Sequence, residues 1–121
     1  MATFLIITPY GNELEEFERW LRDGSQHLVL KARSGEEGLE LAFNHQIDII
    51  FLENHLPKSS GLEIARILKE DHRTCRFPIL LMTAQADRSI NEEGTKIGIE
   101  GLIYKPISQE NILFCVDHIV G

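Results

Sequence analysis

Asp48-Ile49-Ile50-Phe51-Leu52-Glu53-Asn54-His55-Leu56-Pro57-Lys58-Ser59-Ser60-Gly61-Leu62-Glu63 is the stretch that decides how this chain folds. Its aliphatic run, Ile49 to Leu52, is short and unbroken, which predicts a strand buried on both faces. The run stops on a carboxylate, Glu53. Ser60-Gly61-Leu62-Glu63 then opens a helix with a capping box, in which the serine hydroxyl covers a free backbone N–H and the glutamate reaches back. Strand, polar turn and helix in that order make one βα unit.

The same alternation continues in both directions. Further short apolar runs lie at Phe4 to Ile7, Leu28 to Leu30, Ile79 to Met82 and Leu102 to Tyr104. Between them runs helical spacing. A first helix carries Leu14, Phe17 and Leu21 and ends at Gly24. A second opens with Ser34-Gly35-Glu36-Glu37 and is expected to bury Leu39 and Ala42. The third runs from Ser60 to about Asp71. The fourth, Asp87 to Ile97, is thinly lined and has Gly94 inside it, which weakens a helix. The fifth begins at Ser108 and points Ile112, Val116 and Ile119 at the core. Five strands alternating with five helices predict an α/β fold, a parallel five-stranded sheet covered on both faces in a (βα)5 order. In such sheets function gathers at the carboxyl ends of the strands. Those ends are Thr8-Pro9-Tyr10, Glu53-Asn54-His55, Thr83-Ala84-Gln85 and Lys105-Pro106.

Size and charge narrow the function classes. The 121 residues suit one domain over residues 1–121, and 43% apolar residues suit a folded one. A net charge of -7 argues against nucleic acid as a partner, since phosphate binding wants a basic surface. Cys75 and Cys115 have no metal-ligand spacing, and free thiols suit a reducing compartment. No signal peptide and no apolar run long enough for a membrane is visible. The expectation is a cytoplasmic domain with neither membrane nor nucleic acid partners.

The quoted segment resembles the signature of response-regulator receiver domains, the CheY-like superfamily with a flavodoxin-like three-layer sandwich. That family ends its third strand on a phosphorylated aspartate, with a proline four residues later and a glycine eight later. Here Glu53 takes the aspartate position, and Pro57 and Gly61 fall in place. Thr83 resembles the family's switch threonine, and Lys105-Pro106 its lysine–proline pair, usually joined by a cis bond. The likeness runs from about residue 3 to 119. It implies bacterial-type two-component signalling, with protein partners and no enzyme activity of the chain's own.

The departures from the pattern bear on chemistry. The resemblance implies two adjacent acids after the first strand, which hold Mg²⁺; here Thr8 and Pro9 stand there. The family's aromatic switch position holds Leu102. Phosphoryl transfer to a carboxylate needs a divalent ion and a lysine to bring two negative groups together. Mg²⁺ wants carboxylate oxygens, and Thr8 offers only a hydroxyl. Glu13, in the first turn of the first helix, is discounted as a replacement because helix starts favour acids anyway. Glu53 is also one methylene too long for the placement that in-line attack needs. Mg²⁺ binding is therefore expected to be weak or absent, with no other cofactor and no metal site.

Glu53, Thr8, Pro9, Thr83 and Lys105 then read as a relic site. The longer Glu53 can pair directly with Lys105, a pair expected also to touch the Thr83 hydroxyl. Such a pair either imitates the phosphorylated charge pattern or simply satisfies Lys105 in a scaffold that no longer switches. A single carboxylate has one charge and two oxygens, which favours the neutral scaffold. His55 and Gln85 read as exposed loop residues, and a Glu53–His55 metal site is too small a set to favour. Two rivals stay open: a true phosphoacceptor served by a histidine kinase, and a flavodoxin-like binder of a small molecule, for which the Thr8-to-Asn12 loop has only one glycine and loses a donor at Pro9. On the fifth helix Phe114 points away from the core stripe, with Leu113 and Val120 on its flank. Leu102, Leu113 and Phe114 are thus a candidate contact surface, and a homodimer through the fourth helix, fifth strand and fifth helix is one use of it. Trp20 lies at the edge of the first helix's stripe, as packing or as a contact.

Overall fold

Among the residues described by the computed structural model, 1–22, 26–85 and 87–120, strands and helices alternate five times. They are β1 Thr3–Ile7, α1 Gly11–Arg22, β2 Leu28–Ala32, α2 Gly35–Asn44, β3 Ile49–Glu53, α3 Gly61–Glu70, β4 Ile79–Thr83, α4 Arg88–Ile97, β5 Gly101–Tyr104 and α5 Gln109–Val120. Every strand pairing is parallel, and the order across the sheet is β2-β1-β3-β4-β5. The chain therefore turns to opposite sides of β1 for β2 and β3. Thr8 and Glu53, which follow β1 and end β3, stand at that switch point.

Side-chain alternation along the strands explains the three layers. Leu5, Ile7, Ile50, Leu52, Ile79 and Leu81 form one core with Ala42 of α2 and Ile64, Ala65 and Leu68 of α3, and α4 adds the partly buried Ile90 and Ile97. Phe4, Ile6, Ile49, Phe51, Leu80 and Met82 form the other with Leu14, Phe17 and Leu21 of α1 and Ile112 and Val116 of α5. Each such side chain contributes roughly 1.5–3 kcal/mol by leaving water. Both faces of the central strands are dry, so their sequences carry no polar alternation.

Both serine caps form: Ser34 accepts from the Glu37 N–H and Ser60 from the Glu63 N–H, each at 3.2 Å. Leu39 is half-buried rather than fully buried and packs against the core under α2 and α3, and Gly38 beside it also faces inward, where a Cβ would crowd Ile7. The end of α1 expected at Gly24 lies outside the described residues. The thinly lined α4 forms because its ends are well made. Asp87 caps it by accepting from the Ser89 N–H at 2.8 Å, and Gly98 closes it at φ 98 with its N–H on the Gly94 carbonyl. Gly94 lies under the Ile99 side chain, whose Cδ1 would stand 2.7 Å from a Cβ placed there and would have to turn aside for one. Trp20 packs on Phe17 with ring centroids 5.8 Å apart and stands half-buried at the core's edge. At the amino edge of the sheet, Lys69 donates to the Cys75 and Phe77 carbonyls and to Glu100, which in turn accepts from the Ile79 N–H.

Candidate functional site

The carboxyl ends of β1, β3 and β4 and the Lys105-Pro106 cis peptide after β5 meet around one ammonium group. Parallel register brings them to one edge: Glu53 pairs with Met82 across β3–β4, and Thr83 with Tyr104 across β4–β5. The Lys105 N–H donates to the Thr83 carbonyl at 2.9 Å, which holds the lysine at the mouth of the sheet.

Lys105 Nζ forms ion pairs with Glu53 Oε1 and with Glu13 Oε2, the latter at 2.6 Å. The Tyr10 ring lies 4.7 Å from the same Nζ, a cation–π contact. The Glu53–Lys105 pair is the one anticipated from the longer side chain. Glu13 corrects the reading that discounted it: it leans in from the first turn of α1 and shares the lysine. The missed signal is spacing, because Thr8 Oγ1 donates to Glu13 Oε1 at 2.9 Å and ties the acid to the end of β1. Thr8 also accepts from the Tyr10 N–H at 3.2 Å, so the loop around Pro9 is folded about its hydroxyl.

Burial makes these contacts consequential. The Glu53 side chain is 3% exposed, and those of Glu13 and Lys105 are each 17% exposed. Glu53 Oε2 accepts from the His55 N–H at 2.7 Å, while Oε1 has Lys105 as its counter-charge and no further hydrogen bond among the described residues. Burial by itself would lower the Lys105 pKa. Its hydrogen bonds to Glu13 and Glu53, with their charges, outweigh that and hold it above the ordinary lysine value.

The other site residues are placed as follows. Thr83 is buried, but its hydroxyl faces Gln85, accepting from its N–H at 3.2 Å, rather than touching Glu53 as expected. The loop turn after β4 lies closer to that hydroxyl than the carboxylate does. Pro9 is half-buried and the His55 and Gln85 side chains are exposed. Leu113 and Phe114 stand out from α5 at 40% and 54% exposure. Leu102 is a correction to the proposed surface: it is half-buried and packs on the α2–α4 side core. Tyr104, read only as part of a strand, is the exposed aromatic of β5. An edge strand leaves one such position open to solvent.

A divalent ion does not fit this donor set. All four carboxylate oxygens of Glu13 and Glu53 are taken, by Thr8, by Lys105 twice and by the His55 N–H. The ammonium lies between the two acids, where a cation would have to sit. No group of three acids, histidines or cysteines suited to a metal occurs among the described residues. The arrangement can neutralise charge and hold strand ends together. No helix among the described residues is long and apolar enough to cross a membrane.

Comparison with known proteins agrees with this architecture. The model of the response regulator receiver domain matches residues 12–117. The chain is 34% identical over 111 residues to the polar-differentiation response regulator DivK of Brucella ovis, covering 91% of this chain and 90% of that one. Its fold is similar to that of the chemotaxis protein CheY4 of Vibrio cholerae, with a TM-score of 0.91 at 24% identity over 98% of each chain. It is equally similar to a two-component response regulator from Clostridium difficile, with a TM-score of 0.91 at 22% identity over 99% of this chain and 96% of that one. A sheet of this order, a lysine–cis-proline pair at its mouth and a sequence match along most of the length lead to one conclusion: the chain belongs to the response regulator receiver domain family.

Proposed function

We propose that this chain is a single receiver module in two-component signalling that accepts no phosphoryl group and acts by binding protein partners. The observation that carries the reading is the Lys105 ammonium held between Glu13 and Glu53. A phosphoryl group arriving at Glu53 would have to displace that ammonium from two carboxylates and would bring more negative charge to a site already holding two acids. With Thr8 and Pro9 after β1, nothing replaces the lost cation. Glu53 and Lys105 are then a built-in ion pair, with Thr8 and Thr83 as its surroundings, and the module has no chemistry of its own.

The expected outcome with Mg²⁺ and acetyl phosphate is an unchanged intact mass, and with Mg²⁺ and beryllofluoride an unchanged Trp20 fluorescence. A stoichiometric acyl phosphate on Glu53 would sink the proposal and restore the phosphoacceptor reading.

The face bearing the exposed Leu113 and Phe114 on α5 is the contact surface of this reading. Exposed aromatics are costly to leave in water and common at interfaces. If a second copy uses it, sedimentation equilibrium gives a dimer that Phe114→Ser weakens by about tenfold or more, the effect of losing one central aromatic contact. A monomer at high concentration, for the unaltered chain, counts against self-association there.

A further inference from the structure

The sheet edge opposite the Lys105 site holds a second concave feature. The end of α2 and the connection from α3 to β4 enclose a cleft of about 620 Å³. Arg73, Arg76, His45 and His72 line it over Phe43 and Phe77, and no aspartate or glutamate is among its lining residues. In a chain of net charge -7 that is a local reversal of sign.

The basic groups differ in how they are held. Arg73 is fixed: its Nε and Nη2 donate to Asp71 at 3.0 and 2.7 Å, and its guanidinium lies 4.1 Å over the Phe43 ring. Its remaining N–H groups are left for a ligand. Arg76 and His72 make no side-chain hydrogen bond or salt bridge among the described residues, so Arg76 brings an uncompensated charge. Two of the carbonyls near the end of α2, whose negative ends would repel an anion, meet side-chain nitrogens. Asn44 Nδ2 donates to the Glu40 carbonyl at 2.7 Å, and His45 Nδ1 lies 2.9 Å from that of Leu41. A carbonyl only accepts, so this Nδ1 carries its hydrogen.

We propose that this cleft binds a small oxyanion carrying at least two negative charges, as a phosphorylated or polycarboxylate molecule does. A guanidinium held in place by Asp71 and Phe43 loses little freedom on meeting an oxyanion, and Arg76 supplies the net charge. The cleft has the size of small-molecule sites generally. It is also separated from the Glu53–Lys105 pair by the length of β3, so it does not depend on the reading of that pair.

The test is an NMR titration of the whole chain with pyrophosphate and, in a separate arm, citrate, at constant ionic strength. Saturable shifts confined to residues 43–46 and 72–77 are expected in at least one arm. Pyrophosphate alone identifies a phosphate ligand and citrate alone a carboxylate one. Arg76→Gln should weaken binding by about tenfold, the loss of one charge-assisted contact. Lys58→Gln, at the other edge of the sheet, should leave it unchanged. Both side chains are exposed, so neither variant threatens the fold. No saturation in either arm up to about 10 mM, or equal losses in the two variants, overturns the proposal.

Discussion

Lys105→Met is expected to destabilise the protein by about 3 kcal/mol or more at neutral pH, read as a drop in the urea midpoint at unchanged slope. Removing the ammonium leaves two carboxylates, Glu13 and Glu53, aimed at the same point without a counter-charge. Glu53 is 3% exposed at its side chain, so water cannot replace the lost partner. Adding Glu53→Gln to that variant is expected to recover a large part of the loss, because the amide keeps an acceptor for the His55 N–H and carries no charge. If the double variant is no more stable than the single one, the buried pair is not the cause. The pH dependence has a definite sign. The folded-state pKa of Lys105 is raised above its ordinary value of 10.5. Its contribution is therefore complete below the ordinary value and is lost only as the pH rises through the higher folded value. The difference between wild type and Lys105→Met should show no loss from lysine titration between about pH 7 and about pH 9, and should shrink above the ordinary lysine range.

Gly61→Ala is expected to cost about 3 kcal/mol, the upper part of the range for forced overpacking. A Cβ there would stand 2.6 Å from the Glu53 carbonyl oxygen and 2.8 Å from Asn54 Cα. Both are backbone atoms at the end of β3 and cannot swing aside as a side chain would. The start of α3 would have to lift, straining the Gly61 N–H bond to the Asn54 carbonyl at 2.8 Å and that from Leu62 to the Asn54 side chain. Gly11→Ala is the control. Its Cβ would meet only the Arg33 guanidinium, at 3.3 Å, and the change should stay within about 0.5 kcal/mol. Equal midpoints for the two variants would show that the close approach at Gly61 is easily relaxed.

The parts of the fold legible from sequence are those where one local rule decides. β1, β3 and β4 are buried on both faces, so their runs are continuous and aliphatic. The edge strand β2 is less legible: Lys31 and Ala32 extend it past its apolar run because pairing with Ile6 and Ile7 of β1 carries it on. α4 is legible at Asp87 to Ile97 despite its thin apolar lining, and its capping at Asp87 and Gly98 is what holds it. At the site, the Glu53–Lys105 pair followed from side-chain length and strand order together.

Sequence by itself determined the alternation of strand and helix, and with it the edge of the sheet at which Thr8, Glu53, Thr83 and Lys105 collect. These rest on periodicity and on a parallel connection rule, both local. Only the tertiary structure decided that Glu13 shares the lysine, that the Thr83 hydroxyl turns to Gln85 and that Leu102 packs inward. An acid in a first helical turn looks the same in sequence whether it faces solvent or a buried ammonium. The difference lies in how α1 is set over the sheet, and packing of Leu14, Phe17 and Leu21 against the strands fixes that placement.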